Sequence, residues 1–323
     1  MIPCHIIRGI VWNSKVPQQG GDCIMKKRLI CAALASVMAL SLAACGGSAE
    51  KTAATAAETK AETAAEKAAE ETKEETSEAA EESSEAASEA AEGGTFIVGF
   101  DQDFPPMGFV GDDGEFTGFD LELAQEAAER MGMEYVPQPI AWDSKDMELE
   151  SGNIDCIWNG FTINGREDDY TWSEPYMANT QVFVVAKDSG IASQADLAGK
   201  VVECQVDSSA EAALKEVPDL TATFQNLLTT ADYNTAFMDL EQGAVDAIAM
   251  DVIVAGYQIQ QRNADFVILD DTLSSEEYGI GFKKGNEELR DKVQAVLEEM
   301  AADGTLKAIS EKWFGEDVTT IGK

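Results

Sequence analysis

Residues 46–94 constrain the fold most strongly, because they cannot form part of a packed structure. They consist almost wholly of Ala, Glu, Thr, Ser and Lys, and they contain no Leu, Ile, Val or aromatic residue. A segment with 14 Glu, four Lys and nothing to bury cannot offset its loss of conformational entropy, although Ala and Glu permit transient helix. We therefore expect a solvated tether here, followed by a folded body from Thr95 to Lys323.

The segment before the tether has the layout of a secretory signal peptide at residues 25–44. It begins with the positively charged stretch Met25-Lys26-Lys27-Arg28. An apolar run at 29–42 follows, which is short for a membrane span. The Leu-Ala-Ala-Cys that ends at Cys45 resembles the bacterial lipobox, which implies cleavage before Cys45 and lipidation of its sulfur. Residues 1–24 do not fit this pattern, so we expect Met25 to be the true start. An uncleaved anchor helix and ordinary cleavage near the same point are the alternatives.

Charge and histidine content exclude several classes of protein. The chain of 323 residues has 60 acidic and 23 basic side chains, a formal net charge of -37, and this field would repel nucleic-acid phosphates. Its one histidine, His5, precedes the signal pattern, so histidine-based nucleophilic catalysis and histidine-ligated zinc are excluded. We predict no metal site and no cofactor. Cys156 and Cys204 lie in apolar runs and are expected to be buried thiols.

Apolar runs that alternate with amphipathic helical patterns indicate an α/β fold, and a body of this length fits two lobes better than one sheet. The predicted strands are 96–100, 134–137, 154–158, 181–186, 200–205, 221–224, 244–250 and 266–269, and residues 278–282 precede a long amphipathic helix. The predicted helices are 121–131, 146–150, 193–198, 208–216, 231–242, 251–261, 287–302 and a final one around Trp313.

A repeated motif supports the division into two lobes. Residues 149–157 and 240–248 both read Leu-Glu-polar-Gly-x-(β-branched)-Asp-x-Ile, which is the pattern of a helix end, a glycine C-cap and a buried strand. The alternative is a common helix-to-strand turn that recurs by chance.

Two oppositely charged candidates follow predicted strands, at the places where open α/β sheets bind ligands. Arg166 follows the strand at 154–158, and its guanidinium can pair bidentately with a carboxylate. Asp251 follows the strand at 244–250 and can pair with an ammonium group. On opposite lobes, these two side chains would hold the zwitterion of an α-amino acid.

Further candidates would complete such a site. The Gly160 carbonyl and the Thr162 hydroxyl would lie between the two charges. Aromatic rings would stack on the ligand side chain, and amides that open a helix would donate to an anion. The remaining candidates are Asp101, Phe104, Trp142, Phe161, Gln205, Ser208 and Ser209.

Several of these residues have a purely structural alternative. Arg166 can be a surface base paired with a neighbouring acid. Asp251 can serve only as a helix N-cap. Trp142 and Phe104 can belong to the hydrophobic core.

Eight short motifs are distributed along residues 96–314. They are Asp101-x-x-Phe104-Pro105-Pro106, Gly118-Phe119-Asp120-Leu121, Leu149-x-x-Gly152-x-Ile154-Asp155, Gly160-Phe161-Thr162-Ile163, Trp172-Ser173-Glu174-Pro175-Tyr176, Asp196-Leu197-x-Gly199-Lys200-Val201, Gly243-x-Val245-Asp246-Ala247 and Lys312-Trp313-Phe314-Gly315. Together they resemble the bacterial extracellular solute-binding proteins of family 3, which are the polar amino acid receptors of ABC importers.

The resemblance implies a type II periplasmic binding protein fold, in which two lobes joined by two hinge strands close on a ligand. The first lobe would comprise residues 95–184 and 279–323, and the second residues 185–278. By match, Arg166 would bind the α-carboxylate and Asp251 the α-ammonium. Polar contacts would come from Gly160 and Thr162, and a main-chain donor from Ser209.

The chain departs from the family pattern at two places. The segment Asn164-Gly165-Arg166 is one residue shorter than the usual Thr-Pro-Glu-Arg. Gln205 stands where some relatives have a base or another polar group.

The implied function is that of the substrate-binding component of an ABC importer, which captures a polar L-amino acid or a cystine-like derivative without converting it. We expect a monomer, lipid-anchored outside the cell membrane, whose closed form meets the permease subunits. Two alternatives stay open. One is an enzyme of the cyclohexadienyl dehydratase type, with Glu203 or Asp103 as its acid. The other is a ligand-sensing receptor.

Overall fold

The structure, a computed structural model, describes residues 93–323. The signal pattern, Cys45 and almost all of the tether lie outside these residues. The first elements are β1 (Thr95–Phe100), β2 (Asp103–Phe104), β3 (Gly108–Val110), β4 (Phe116–Thr117), α1 (Phe119–Met131), β5 (Glu134–Pro139), a 3₁₀ turn (Trp142–Ser144), α2 (Lys145–Ser151), β6 (Cys156–Ile157) and β7 (Thr171–Trp172). The next are β8 (Met177–Ala186), a 3₁₀ turn (Gln194–Leu197), β9 (Val201–Gln205), α3 (Ser209–Lys215), α4 (Pro218–Thr221), β10 (Asn226–Thr230) and α5 (Tyr233–Gln242). The last are β11 (Ala247–Asp251), α6 (Val252–Arg262), β12 (Phe266–Tyr278), β13 (Gly281–Phe282), α7 (Glu287–Asp303) and α8 (Thr305–Phe314).

Two five-stranded sheets form the centres of two lobes. The first sheet has the strand order β5-β1-β6-β13-β7, and the second has the order β10-β9-β11-β8-β12. After β13 the chain stays in the first lobe, where α7 and α8 pack against α1. This arrangement confirms the predicted α/β class with two lobes.

The strands β8 and β12 connect the lobes. They pair in antiparallel fashion over most of their length, with Met177 opposite Tyr278 at one end. Tyr278 also forms a β-bridge with Thr162 of the first lobe, whereas β8 pairs with β11 of the second lobe from Gln181 onwards. The chain therefore enters the second sheet at Gln181.

The repeated motif forms the same structure in both lobes. Gly152 and Gly243 end α2 and α5 in the left-handed conformation, with φ angles of 78° and 71°, which a glycine adopts without steric cost. The aspartates that follow, Asp155 and Asp246, each accept a backbone N–H from the first part of a neighbouring parallel strand, at 2.7 and 2.9 Å. Each copy thus fixes where a buried strand begins.

One predicted strand is wrong. Thr221 ends the helical turn α4 and residues 222–224 follow it; the turn begins at Pro218, because a proline is well suited to the first turn of a helix. The strand that completes the sheet edge is β10, Asn226–Thr230, whose side chains are mostly exposed. An exposed edge strand lacks the buried apolar run on which the prediction relied. The two cysteines, Cys156 and Cys204, are buried free thiols as predicted.

Candidate functional site

Side chains from both lobes line one cleft, which is partly open to solvent. Two candidates from the sequence, Asp101 and Phe161, do not line it. The first lobe contributes Phe104, Trp142, Asn159, Gly160, Thr162 and Arg166, and the second contributes Gln205, Ser208, Ser209 and Asp251.

The strand ends of the two sheets bring these residues together. The loop of residues 159–166 follows β6, which runs parallel to β1 in the first sheet. Gln205 ends β9 and Asp251 ends β11, and these strands are parallel neighbours in the second sheet. Because the carboxyl ends of parallel strands meet at one edge of a sheet, each lobe presents its polar residues to the other across the cleft.

A buried carboxylate holds the cleft loop of the first lobe. Oδ2 of Asp120, a fully buried residue of α1, accepts the Gly160 N–H at 2.5 Å and the Tyr176 hydroxyl at 2.9 Å. Burial raises the pKa of Asp120 to about 7, although both hydrogen bonds favour the ionised form. The Gly160 φ angle of 57° lies in the left-handed region. Asp120 therefore helps to fix the backbone that lines the cleft.

Arg166 reaches the cleft despite its shortened loop. Its Cζ lies 5.2 Å from the centroid of the Phe161 ring, and Nη1 donates to the Thr162 carbonyl at 3.2 Å. Nη2 donates across the cleft to the Asp207 carbonyl, at 3.3 Å. Within residues 93–323 the guanidinium forms no ion pair, so the alternative of a surface base paired with a neighbouring acid does not hold.

Asp251 precedes α6, but its side chain makes no capping hydrogen bond. Instead Oδ1 accepts from Asn179 Nδ2 at 2.7 Å, Gln181 Nε2 at 2.8 Å and the Tyr278 hydroxyl at 2.6 Å. Burial, followed by the charge of Glu276, raises the pKa of Asp251 well above its usual value. The carboxylate is therefore held at the cleft wall by the two hinge strands, and the alternative of a simple N-cap is wrong.

Two of the side chains that line the cleft have buried polar atoms with no hydrogen-bond partner among the described residues. They are Thr162, at its Oγ1, and Asn159, at both amide atoms. Their residues are 2 % and 1 % exposed, and both line the cleft. Most buried polar atoms in native proteins are hydrogen-bonded, so these groups are suited to a ligand that enters the cleft.

Four polar candidates form contacts within the protein. Asp101 Oδ2 accepts Gln205 Nε2 at 2.6 Å, a contact that joins the lobes, and burial raises the pKa of Asp101 to about 6. The Ser208 hydroxyl caps α3 by accepting the Glu211 N–H at 3.2 Å. The Ser209 hydroxyl accepts Gln181 Nε2 at 2.9 Å.

The aromatic candidates differ in position. Phe104 and Trp142 line the cleft, at 6 % and 9 % exposure, so they are nearly buried and also face the empty space. Phe161 is fully buried, where it packs edge-on against Trp142 at a centroid distance of 5.5 Å. Its ring packs against the Arg166 guanidinium and does not line the cleft.

Several residues of the site were not predicted from the sequence. Asn159 lines the cleft, Asn179, Gln181 and Tyr278 donate to Asp251, and Glu276 accepts from Asn179. The signal that could have revealed the residues of the hinge strands is the presence of buried amides and acids in otherwise apolar strands.

A second contact between the lobes was also missed. The Lys145 ammonium of α2, 2 % exposed, pairs with the carboxylate of Asp207, which is 53 % exposed. The Lys145 Nζ also lies 5.4 Å from the centroid of the Trp142 ring. Nearby, Asn234 Nδ2 donates to Asp103 Oδ1 at 2.8 Å. These contacts join the two lobes.

The two acids considered for an enzymatic alternative do not line the cleft. Glu203 is 4 % exposed, and its pKa is raised to about 7 by burial and by the charges of Asp239 and Asp232. Asp103 is bound by Asn234 at the rim. Within residues 93–323, no helix has both the length and the apolar character required to cross a membrane.

Comparison with known proteins gives a consistent result. The family model of the bacterial extracellular solute-binding proteins, family 3, matches residues 96–316. The L-cystine-binding protein TcyJ of Escherichia coli (strain K12) is 36 % identical over 231 residues, which cover 71 % of this chain and 85 % of that protein.

Solved structures show the same similarity. A substrate-binding protein of an ABC uptake transporter from Streptococcus pneumoniae, with bound histidine, matches with a TM-score of 0.68 and 34 % identity, covering 70 % of this chain and 94 % of that one. The ancestral amino acid-binding protein AncCDT-1, described as a precursor of cyclohexadienyl dehydratase, matches with a TM-score of 0.62 and 30 % identity, covering 69 % and 96 %.

Proposed function

Because the chain belongs to the bacterial extracellular solute-binding proteins, family 3, we propose that its cleft binds one polar L-amino acid and delivers it to an ABC importer. The observation that carries this proposal is the position of Arg166 and Asp251. They belong to opposite lobes, they line the same cleft, and within residues 93–323 neither has a side chain of opposite charge as partner.

The two charges match the two ends of an amino acid zwitterion. Arg166 would pair with the α-carboxylate, because its guanidinium is held by two carbonyls and by the Phe161 ring. Asp251 would pair with the α-ammonium. Burying a charge without a partner costs several kcal/mol, so a ligand that lacks either group would be disfavoured strongly.

The remaining groups of the cleft would determine orientation and selectivity. The Thr162 hydroxyl and the Gly160 carbonyl would contact the backbone of the ligand, and the unpartnered Asn159 amide would contact a polar group. The rings of Phe104 and Trp142 offer stacking surfaces for the ligand side chain. A polar side chain agrees with this lining and with the cystine and histidine ligands named for the two relatives.

Binding would close the cleft. The contacts Asp101–Gln205 and Lys145–Asp207 join the two lobes, and a ligand that touches both walls would favour this closed arrangement. The closed form would then meet the permease subunits, with the protein acting as a monomer.

Family members are extracytoplasmic solute-binding proteins. We extend the proposal to a lipid anchor at Cys45, with residues 46–94 as the tether that lets the folded body reach the permease. The test is the partition of the expressed full chain and of its Cys45→Ser variant between the membrane and soluble fractions. Release of both proteins to the same extent would contradict the anchor.

An enzymatic role has weaker support. The similarity to a precursor of a dehydratase is to an ancestral amino acid-binding protein, and neither Glu203 nor Asp103 lines the cleft. We propose binding without turnover. Formation of product from prephenate or arogenate by the purified protein would favour the enzyme instead.

The decisive experiment is a thermal-shift screen of the purified protein with the twenty L-amino acids and L-cystine. A ligand at a hundred times its Kd stabilises the native state by about 2.7 kcal/mol, which raises the melting temperature measurably. Arg166→Ala and Asp251→Ala should each weaken binding of the best ligand by at least about a hundredfold.

The matched control is Asp291→Ala, which removes an exposed carboxylate of α7 outside the cleft. It should bind like the parent protein. If no amino acid raises the melting temperature, the function is wrong. If the two cleft variants bind as tightly as the control, the assignment of the two residues is wrong.

A further inference from the structure

Glu276 lies beside Asp251, the residue proposed to bind the ammonium group of the ligand. It belongs to none of the motifs that resemble the family. Its Oε1 accepts from Asn179 Nδ2 at 2.7 Å and from Gln181 Nε2 at 2.8 Å. The same two amides donate to Asp251 Oδ1, at 2.7 and 2.8 Å. Two carboxyl groups therefore share two donors, which places their oxygens next to each other.

This arrangement is electrostatically unusual. Asp251 and Glu276 are 2 % and 6 % exposed, and no Lys or Arg within residues 93–323 pairs with either of them. Two ionised carboxylates that are buried next to each other repel, and protonation of one of them removes this repulsion. The raised pKa of Asp251, caused first by burial and then by the charge of Glu276, agrees with this geometry.

Few other ionisable groups face the pair. From β12, Tyr278 donates its hydroxyl to Asp251, and from α5 Tyr233 lies within range of the Asp251 charge. Burial raises the pKa of both tyrosines well above the usual value, so they stay neutral. Arg166 lies on the opposite lobe.

The pair adjoins the cleft, and the cleft has independent signs of a ligand. Asp251 itself lines the cleft wall. Opposite it, the buried Thr162 hydroxyl and Asn159 amide have no hydrogen-bond partner among the described residues. We therefore expect a polar ligand in the cleft beside Asp251 and Glu276.

We propose that Asp251 and Glu276 share one proton before an amino acid enters the cleft, and that they release it when the ammonium group of the ligand takes its place. This inference rests on the proposed function. One carboxyl O–H bond breaks, the proton passes to the solvent, and no other covalent bond changes. The ammonium then faces two carboxylates, and its charge compensates the repulsion between them.

Release of a proton makes binding depend on pH. While the pair is protonated, each unit of decrease in pH should weaken binding about tenfold, because one proton is lost for each ligand bound. Once the pH is high enough to ionise the pair without ligand, the dependence should disappear. Binding therefore strengthens with rising pH and then reaches a plateau.

The test is isothermal titration calorimetry at about pH 6.5, with phosphate and with imidazole as buffers, since both buffer at this pH and differ widely in their heat of protonation. The probes are L-cystine, L-glutamine and L-arginine, whose side chains do not titrate in this range. The difference in heat between buffers gives the number of protons released, which we expect to be about one for the parent protein.

Glu276→Gln keeps the size of the side chain and removes one ionisable group. It should bind with a proton count clearly below that of the parent and a flatter dependence on pH, because the charge of Glu276 is gone while the burial of Asp251 remains. The matched control is Glu203→Gln, because Glu203 is another buried acid with a raised pKa, located outside the cleft. This control should release protons as the parent does.

The outcomes separate the two proposals. If none of the probes, nor any amino acid of the thermal screen, binds to the parent protein, the proposed function fails. If the parent binds without proton release, the acidic pair is refuted, whether or not any variant folds. A parental proton count in Glu276→Gln also refutes it, because another group, such as Asp101, would then be the source.

Discussion

The buried ammonium of Lys145 pairs with the carboxylate of Asp207 on the opposite lobe, and this contact yields a prediction in which the two residues are not equivalent. Lys145 is 2 % exposed, whereas the side chain of Asp207 is 53 % exposed. Replacing the lysine with methionine removes the charge together with the ion pair. Replacing Asp207 with asparagine removes only the partner and leaves the ammonium buried in the closed form.

The asparagine variant should therefore be the more harmful of the two. A pair with one solvent-exposed member contributes up to about 1 kcal/mol, so Lys145→Met should weaken ligand binding no more than about fivefold. An uncompensated buried charge costs about 3–5 kcal/mol in a dry interior, and solvent at Asp207 reduces this to about 2 kcal/mol, or about thirtyfold in affinity. Asparagine also tolerates the positive φ angle of 56° at this position.

The assay is calorimetric titration with the best ligand of the thermal screen, together with dissociation rates from stopped-flow tryptophan fluorescence. Both variants act on the closed form, so the dissociation rate should rise more than the association rate falls. Lys187→Met is the matched control, because Lys187 pairs with Asp265 at 4.0 Å on an exposed surface. It should leave both constants unchanged. Equal effects of Lys145→Met and Asp207→Asn, or no effect of either, would refute the reasoning.

Three further predictions concern the cleft loop and its support. In Gly160→Ala the new Cβ would approach Phe104 Cε1 to 3.1 Å and Tyr278 Cε2 to 3.2 Å at a φ angle of 57°, so urea denaturation should show a loss of about 1–2 kcal/mol; a stability equal to that of the parent contradicts this. Thr162→Val should leave the free energy of unfolding nearly unchanged while it weakens ligand binding about tenfold, and Thr162→Ser should restore binding; equal affinities of the two variants in calorimetry would argue against a ligand contact. Burial raises the pKa of Asp120 to about 7, so the native state holds the Asp120 proton more tightly than the unfolded chain does, and Asp120 should cost stability increasingly as pH rises from about 4 to about 7. In urea titrations across this range, the difference in free energy of unfolding between the parent and Asp120→Asn should change with pH. A constant difference would be inconsistent with this prediction.

Local patterns predicted most elements, and the failures have physical causes. The helix α1 ends at Gly132 and α5 at Gly243 as predicted, because a left-handed glycine terminates a helix through contacts within one turn. The prediction failed at residues 221–224, where Pro218 starts a helical turn and the true strand, Asn226–Thr230, is an exposed edge. An edge strand is stabilised by its neighbour in the sheet, so its own residues give little signal.

The roles of single residues were harder to predict. The sequence offered Asp251 both as an N-cap and as a ligand group, and the three side-chain donors around Oδ1, with no capping bond, exclude only the first of these. Glu276 was missed because it meets Asp251 only through the pairing of the hinge strands. No local spacing encodes that contact.

Composition and periodicity by themselves predicted the α/β body and a pair of opposite charges that follow strands. Such properties depend on neighbours along the chain and on which side chains can be buried. The tertiary structure decided that Arg166 and Asp251 face one cleft, that Lys145 finds Asp207, and that Glu276 joins Asp251. These pairings follow from how two lobes are packed and twisted against each other, so they are set by contacts between residues far apart in sequence.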